Sequence, residues 1–132
     1  MSSVSATDVE DYNALVVEHF ERPRNVGLIA AAANVIEGIA GRIDEGTQFK
    51  LTARIEGGHV VEARFEAYGC PHCIAAASHL TEQLRGATRG DLEQWSWREL
   101  ASVLGIPTVK RGRLLILEDA VRALAADWRR KF

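Results

Sequence analysis

The sequence has few cysteines, no excess of charge of either sign and no long hydrophobic run. A formal net charge of -2 over 132 residues leaves no globally basic surface of the kind that binds nucleic acid. No apolar run approaches the roughly 18 residues that a membrane-spanning helix requires. Residues 1–7 have neither the basic region nor the apolar region of a secretory signal. We therefore expect a cytoplasmic protein that binds neither nucleic acid nor membrane.

The two cysteines, Cys70 and Cys73, form a Cys-x-x-Cys pair between a predicted strand and a predicted helix. In a reducing compartment, such a close pair is more typical of metal binding or catalysis than of a structural disulfide. Gly69 permits a sharp change of direction, and Pro71 suits the first turn of a helix. Cys70 is therefore predicted at a helix N-terminus, where the dipole lowers the pKa of a thiol. A thiolate either binds a metal or attacks a disulfide, and these residues leave both functions open.

Three segments have the features of β-strands. Residues 48–56 alternate apolar and polar side chains, which indicates a half-buried strand. Gly57-Gly58 is a strong hairpin signal and leads into a returning strand over residues 59–68. Residues 34–41 are the other predicted strand. Because the hairpin brings the start of one strand near the end of the next, we expect the polar loop over residues 44–47 to lie close to both cysteines.

Helical patterns precede and follow the strands. The residues between the last two helices predict an extended segment over 106–110 and a polar turn over 111–113. Consecutive strands with helices before and after them predict an α+β fold, a three-stranded antiparallel sheet covered on one face by helices. We expect a single domain over residues 1–132 with a flexible N-terminus over residues 1–8. The predicted helices are one that is capped by Thr7 or Asp8 and ends at Pro23, and those over residues 74–84, 91–95, 97–104 and 114–131.

Several segments carry the landmarks of one protein family. Residues 12–27, YNALVVEHFERPRNVG, resemble that family's first helix and its H-[FY]-x-x-P-R-N-x-G motif. Residues 63–70, ARFEAYGC, are similar to its A-[RK]-F-x-x-x-G-C segment, and residues 74–78 to the I-A-x-x-S that follows. Residues 106–110, IPTVK, resemble an L-P-P-V-K motif, and residues 117–120 continue into a final helix. The chain therefore resembles the IscU/NifU N-terminal family of iron–sulfur cluster assembly scaffolds.

The departures from the family pattern fall on the residues that bind metal. The family holds its cluster with three cysteines, helped by an aspartate and a histidine. Its first cysteine lies in a C-G-D loop that here reads Glu45-Gly46-Thr47, and its last His-Cys pair is here Gly112-Arg113. Cys70 is the family cysteine that is kept, and Cys73 stands where the family usually carries a small residue. We expect Arg113 to place a cation near any bound metal and to weaken its binding.

The resemblance implies a scaffold in iron–sulfur cluster assembly, not an enzyme, with Cys70 as a sulfur acceptor. The implied cofactor is iron or an iron–sulfur cluster, and zinc is the alternative. The implied partners are a cysteine desulfurase and an Hsp70-type chaperone that grips the segment from Ile106 to Lys110. One chain supplies two thiolates, so a four-thiolate site would need the Cys-x-x-Cys pairs of two chains in a homodimer. The candidate ligands are Cys70, Cys73, Glu45 and His72.

Other functions stay open. Cys-Pro-His-Cys at a helix N-terminus has the same four letters as the active site of strongly oxidising thioredoxin-fold proteins, with Cys73 as the resolving thiol. The preceding hairpin disfavours the thioredoxin fold itself, which needs a βαβ start. A chain without a cluster would instead serve as an adaptor for the family's partners, or hold a structural zinc. Cys73 is alternatively explained as a small buried residue, and His72 as a solvent-facing residue of a first helical turn.

Overall fold

The computed structural model describes residues 12–132. The flexible N-terminus predicted over residues 1–8 and the predicted helix caps Thr7 and Asp8 lie outside the described residues. Within residues 12–132, each helix is too short or too polar to span a membrane. Residues Ile43–Glu45 and Thr108–Lys110 form short 3₁₀ turns. In chain order the elements are α1 (Ala14–Glu21), β1 (Val35–Arg42), β2 (Thr47–Glu56), β3 (His59–Tyr68), α2 (Pro71–Gln83), α3 (Arg89–Gln94), α4 (Trp97–Val103) and α5 (Arg111–Lys131).

Helix α1 begins at Ala14, within the helix predicted from the sequence. Its N-cap is Asn13, whose backbone is extended and whose side-chain Oδ1 accepts a 2.9 Å hydrogen bond from the Val16 N–H. A polar side chain in this position satisfies an N–H group that has no partner within the helix. Tyr12 and Asn13 are not helical, so the predicted helix is interrupted before α1. Its predicted end before Pro23 is confirmed.

The three strands form one antiparallel sheet in the order β1-β2-β3. Gly57 and Gly58 join β2 to β3 with φ angles of 61° and 79°. A two-residue hairpin turn of this type needs positive φ angles, which glycine adopts without a steric penalty. In the central strand, Leu51 pairs with Gly38 on one side and with Phe65 on the other. The predicted strands are confirmed to within one residue at each end.

Helices cover one face of this sheet. The inward side chains of β2 include Phe49 and Leu51, which are 0% and 1% exposed. Helix α5 packs on β1 and β2 and buries its apolar stripe, Leu114, Leu117, Val121, Leu124 and Trp128. It approaches β1 so closely that a Cβ at Gly38 would collide with the Ala120 carbonyl oxygen and lie 2.6 Å from the Leu124 backbone nitrogen. The predicted α+β fold, with its sheet covered on one face, is confirmed.

The start of α5 corrects the sequence prediction. Arg111, Gly112 and Arg113, predicted as a polar turn, form the first turn of this helix. The segment before it is extended only to Pro107, because Thr108–Lys110 forms a 3₁₀ turn. The first turn of α5 has no apolar face to bury, so its polar sequence carries no helical periodicity. This correction places Arg113 on a helix that begins beside the two cysteines.

Two polar side chains fasten α1 to α2. Ser78 Oγ accepts a 2.8 Å hydrogen bond from the Arg24 backbone N–H and lies 2.7 Å from Nδ1 of His19. The hydroxyl still has its own proton to donate to Nδ1, an arrangement that suits a neutral His19 with its proton on Nε2. Burial of the ring lowers the pKa of His19, in agreement with a neutral imidazole. His19 and Arg24, both in the H-[FY]-x-x-P-R-N-x-G segment, therefore hold α1 against α2, the helix at whose start the thiols lie.

Candidate functional site

The two thiols lie at the junction of β3 and α2. After Tyr68 and Gly69 the N-cap of α2 is Cys70, in extended conformation, and Pro71 occupies the first turn. The Cys70 carbonyl oxygen accepts a 2.9 Å hydrogen bond from the Cys73 N–H. Cys70 is partly exposed, whereas Cys73 is only 1% exposed. The structure thus places Cys70 at a helix N-terminus, as the sequence predicts.

The two sulfur atoms are close enough to form a hydrogen bond. Both cysteines are free thiols, and the Sγ atoms of Cys70 and Cys73 are 3.8 Å apart. The hydrogen bond with Cys73 is the main cause that lowers the pKa of Cys70 far below that of an ordinary thiol. The same hydrogen bond, together with burial, raises the pKa of Cys73. Cys70 is therefore the thiolate of the pair, and Cys73 keeps its proton.

Arg113 brings a cation to the same sulfur atom. From the first turn of α5, its Nη1 donates a 3.2 Å hydrogen bond to Sγ of Cys70. A guanidinium stays protonated across the physiological pH range, so it favours the thiolate form of its partner. It also repels a metal cation from that thiolate. The cation expected near the site is present, and it contacts Cys70 directly.

His72 is buried, which corrects the solvent-facing position predicted for it. The residue is 3% exposed, and its ring centroid lies 4.6 Å from that of Tyr12. Neither ring nitrogen of His72 has a hydrogen-bond partner in the part of the chain that the structure describes. On the other side of this pair, Nζ of Lys110 lies 5.8 Å from the Tyr12 ring centroid, within the range of a cation–π contact. Tyr12 thus connects the first turn of α2 with the segment that precedes α5, which local sequence patterns did not indicate.

The four predicted ligands do not converge. Glu45 is exposed at the end of its 3₁₀ turn. Its loop does approach the cysteines as expected, since the Gly46 carbonyl oxygen lies 3.7 Å from where a Cβ on Gly69 would be. Among residues 12–132, no three His, Cys, Asp or Glu side chains are arranged to hold a metal ion. The structure therefore does not assemble a site from the predicted set of Cys70, Cys73, Glu45 and His72.

A complete cluster does not fit the donors of one chain. Iron–sulfur clusters are normally held by four ligands, and structural zinc also takes four. The site offers two sulfur atoms 3.8 Å apart, and a guanidinium occupies one side of Cys70. Both the cluster and the structural zinc considered from the sequence therefore lack ligands on a single chain.

Gly69 makes room for the buried thiol. A Cβ at this position would lie 2.7 Å from Sγ and 2.8 Å from Cβ of Cys73, closer than non-bonded carbon and sulfur atoms approach in a packed interior. The sequence predicted only that Gly69 permits a change of chain direction. The structure adds that a side chain here would displace Cys73, so Gly69 also positions the pair of thiols.

The chain is similar to known proteins over most of its length. The family described as NifU-like N terminal domain matches residues 11–132. The iron-sulfur cluster assembly scaffold protein IscU of Rickettsia prowazekii is 34% identical over 122 residues, which are 91% of this chain and 93% of that protein. The Drosophila melanogaster protein named iron-sulfur cluster assembly enzyme IscU is 34% identical over 133 residues, which are 99% of this chain and 86% of that protein.

A solved structure has the same fold. The N-terminal NifU-like protein from Brucella abortus superposes with a TM-score of 0.59, at 17% sequence identity, and the match covers 90% of this chain and 92% of that one. At this identity the likeness shows the fold alone. It agrees with the three-stranded sheet and the covering helices described above.

Proposed function

This chain belongs to the family of NifU-like N-terminal domains, and on that premise we propose that it serves iron–sulfur cluster assembly as a sulfur acceptor. The observation that carries the proposal is the position of Cys70 Sγ, which lies 3.2 Å from the Arg113 guanidinium and 3.8 Å from the Cys73 thiol. A partly exposed thiolate with a cation beside it is a nucleophile. Relatives of this chain that are named for cluster assembly support the choice of sulfur as the group it accepts.

The sulfur donor in this proposal is a protein persulfide of the kind that a cysteine desulfurase carries. The Cys70 thiolate attacks the outer sulfur of that persulfide, so a bond forms to Sγ of Cys70 while the donor's sulfur–sulfur bond breaks. The donor cysteine leaves as a thiolate and Cys70 becomes a persulfide, with no net gain or loss of electrons. The Arg113 guanidinium offsets the negative charge that stays on the transferred sulfur.

The cluster is cargo in this proposal, and it is not held by one chain. Two chains would together offer four thiolates, as the sequence suggested for a homodimer. Each Cys70 would then bring its Arg113 to the shared site, and the two guanidinium groups would repel the iron ions. Sulfur acceptance needs neither a second chain nor the loss of the hydrogen bond between Arg113 and Cys70.

Sulfur transfer to Cys70 tests the proposal. Cys73→Ala leaves Cys70 as the one thiol of the chain. Incubation of this variant with a cysteine desulfurase and cysteine is expected to add one sulfur atom per chain, measured by intact-mass spectrometry without reductant. Cys70→Ser is expected to gain none, and the desulfurase without cysteine is the control. The proposal fails if Cys70→Ser gains sulfur as fast as Cys73→Ala, or if neither chain gains any.

The segment before α5 is proposed as the contact for an Hsp70-type chaperone, on the resemblance of residues 106–110. Ile106 is buried, whereas Val109 is 91% exposed and presents an apolar side chain to solvent. Val109→Asp is expected to weaken stimulation of the chaperone's ATPase activity, because a charged side chain is costly to bury in an apolar groove. Gly112→Ala, a change in open space close to this segment, is the matched control. Equal stimulation by all three chains would remove this assignment.

A further inference from the structure

We propose, resting on the sulfur acceptance described above, that Cys73 attacks the persulfide of Cys70 and releases its outer sulfur as hydrosulfide. The chain then delivers sulfide, the oxidation state of sulfur that an iron–sulfur cluster contains. The product that remains on the chain is a disulfide between Cys70 and Cys73. In sulfur acceptance Cys73 only forms a hydrogen bond with Cys70, and the step proposed here adds a reaction of its own thiol.

The two thiols are placed for this attack. Their Sγ atoms are 3.8 Å apart, and a disulfide requires about 2.05 Å. Cys70 is the N-cap of α2 and Cys73 is the third residue of the helix, so their side chains lie on the same side of its first turn. Rotation of the Cys70 side chain, at the end of the helix, therefore brings the sulfur atoms together without moving α2.

The surroundings hold Cys73 and leave Cys70 accessible. Cys73 is 1% exposed and packs against Gly69, where a Cβ would lie 2.7 Å from its Sγ. Cys70 is partly exposed, so a departing sulfur reaches solvent directly. Arg113, whose Nη1 is 3.2 Å from Sγ of Cys70, is next to one end of the sulfur–sulfur bond that breaks, so its charge would offset the negative charge of the departing sulfur. The pair thus combines a fixed attacking thiol with an accessible leaving group.

The step balances without another reactant. A bond forms between the Sγ atoms of Cys73 and Cys70, and the bond between Cys70 Sγ and the outer sulfur breaks. The electron pair of the broken bond leaves with the outer sulfur, which also takes the proton of Cys73 and departs as hydrosulfide. The two cysteine sulfurs are oxidised to a disulfide while the transferred sulfur is reduced to sulfide. A dithiol reductant then restores both thiols for the next turnover.

A persulfide made without any desulfurase tests this step. The chain is loaded with inorganic polysulfide, freed of excess reagent under anaerobic conditions, and followed for released sulfide and for intact mass. The wild-type chain is expected to release one hydrosulfide per loaded persulfide with no added reductant, and to end two hydrogen atoms lighter than the dithiol. Cys73→Ala and Cys73→Ser, two variants in case one folds poorly, are expected to keep the added sulfur on Cys70.

A variant that keeps both thiols but shifts Cys73 tests whether the position of this thiol determines the rate of sulfide release. Gly69→Ala keeps both cysteines but places a Cβ 2.7 Å from Sγ of Cys73, so Cys73 must shift and sulfide release is expected to slow at least several-fold. Gly112→Ala is the matched control, because no neighbouring atom lies within 4 Å of its Cβ position. Release at the wild-type rate from Gly69→Ala would contradict the geometry on which the inference rests.

The outcomes distinguish this inference from the proposed function. A wild-type persulfide as long-lived as that of Cys73→Ala, with no disulfide formed, overturns the inference and leaves sulfur acceptance intact. Sulfide release from the polysulfide-loaded chain, without any transfer from the desulfurase, upholds this step and removes the proposed function.

Discussion

At the scale of single residues, Arg113 changes the chemistry of the site most. It stands where the family resemblance places a cysteine, so a thiolate ligand has been exchanged for a cation. Because its guanidinium donates to Sγ of Cys70 at 3.2 Å, the charge of this thiolate is balanced within the protein. A metal ion would have to displace the guanidinium from that sulfur. The exchange therefore favours reactions at sulfur over the binding of a cluster.

Replacing Arg113 by Ala is expected to raise the pKa of Cys70. An opposite charge at a distance of this order lowers the pKa of a group by about 1–3 units, and the other causes at Cys70 remain in the variant. The rate of alkylation by iodoacetamide against pH reports the thiolate fraction, so its inflection should move upward by about one unit. Arg113→Lys keeps the charge and should move the inflection less. If the inflection is the same in Arg113→Ala as in the wild type, Cys73 and the helix set this pKa without Arg113.

Local and distant contacts differ in how far they could be predicted. The position of Cys70 at the start of α2 followed from Gly69 and Pro71, its neighbours in sequence. The burial of His72 did not, because it depends on Tyr12, a residue far away in the chain. Contacts between residues far apart in the chain cannot be predicted from the local sequence pattern around either residue.

At the scale of elements, β1 and α5 meet at a glycine. Gly38→Ala is expected to destabilise the fold by about 1–3 kcal/mol, since its Cβ would meet backbone atoms that cannot rotate aside. Gly112→Ala is the same change in the exposed first turn of α5, and we expect it to stabilise the fold by about 0.5–1 kcal/mol through helix propensity. Urea unfolding of both variants measures the two free energies. Similar effects of the two changes would contradict the close packing of α5 on β1.

The contact between α1 and α2 is expected to depend on pH. Burial lowers the pKa of His19 most, the Arg24 charge lowers it further, and the Glu82 carboxylate 3.5 Å away opposes both. The folded pKa therefore lies below the unfolded value of roughly 6.5, so the unfolded chain binds the proton more tightly. The stability from a neutral His19 is complete above the unfolded pKa and is lost as the pH falls from there toward the folded pKa.

Urea unfolding at a series of pH values from roughly 7.5 down to 5 measures this loss. His19→Gln keeps a polar side chain near Ser78 but does not titrate, so its free energy of unfolding should vary less with pH over this range. If the variant loses stability with falling pH as steeply as the wild type does, His19 is not the group responsible for the pH dependence.

The elements that the sequence predicted best are those with strong local signals. Alternation along β2 and the Gly57-Gly58 turn fixed the hairpin to within one residue. The predicted start of α5 was wrong because the first turn of this helix, from Arg111 to Arg113, buries no apolar face and so shows no helical periodicity in the sequence. The cap of α1 at Asn13 was missed because apolar residues on both sides continue the helical pattern.

At the scale of the whole molecule, the fold and the ligand set depend on different residues. The sheet and α5 are held by a buried core that contains neither Glu45 nor Arg113, so exchanges at these positions leave the architecture in place. The architecture could be predicted because the strand pattern, the order of elements and the resemblance agreed. The failure of the predicted ligands to converge, and the contact of Arg113 with Cys70, could not be predicted, because they depend on side-chain directions in three separate segments: the β1–β2 turn, the β3–α2 junction and the start of α5.

In the proposed function, this chain handles sulfur at Cys70 without holding a cluster. An experiment that supplies sulfur and iron together decides between these two outcomes, sulfur handling without a cluster and with one. The wild-type chain, a cysteine desulfurase, cysteine and ferrous iron are incubated anaerobically, and the chain is then analysed by native mass spectrometry. We expect chains that carry an added sulfur atom or a Cys70–Cys73 disulfide, and no iron. An iron–sulfur cluster on the monomer or bridging a dimer, lost in Cys70→Ser, would contradict it.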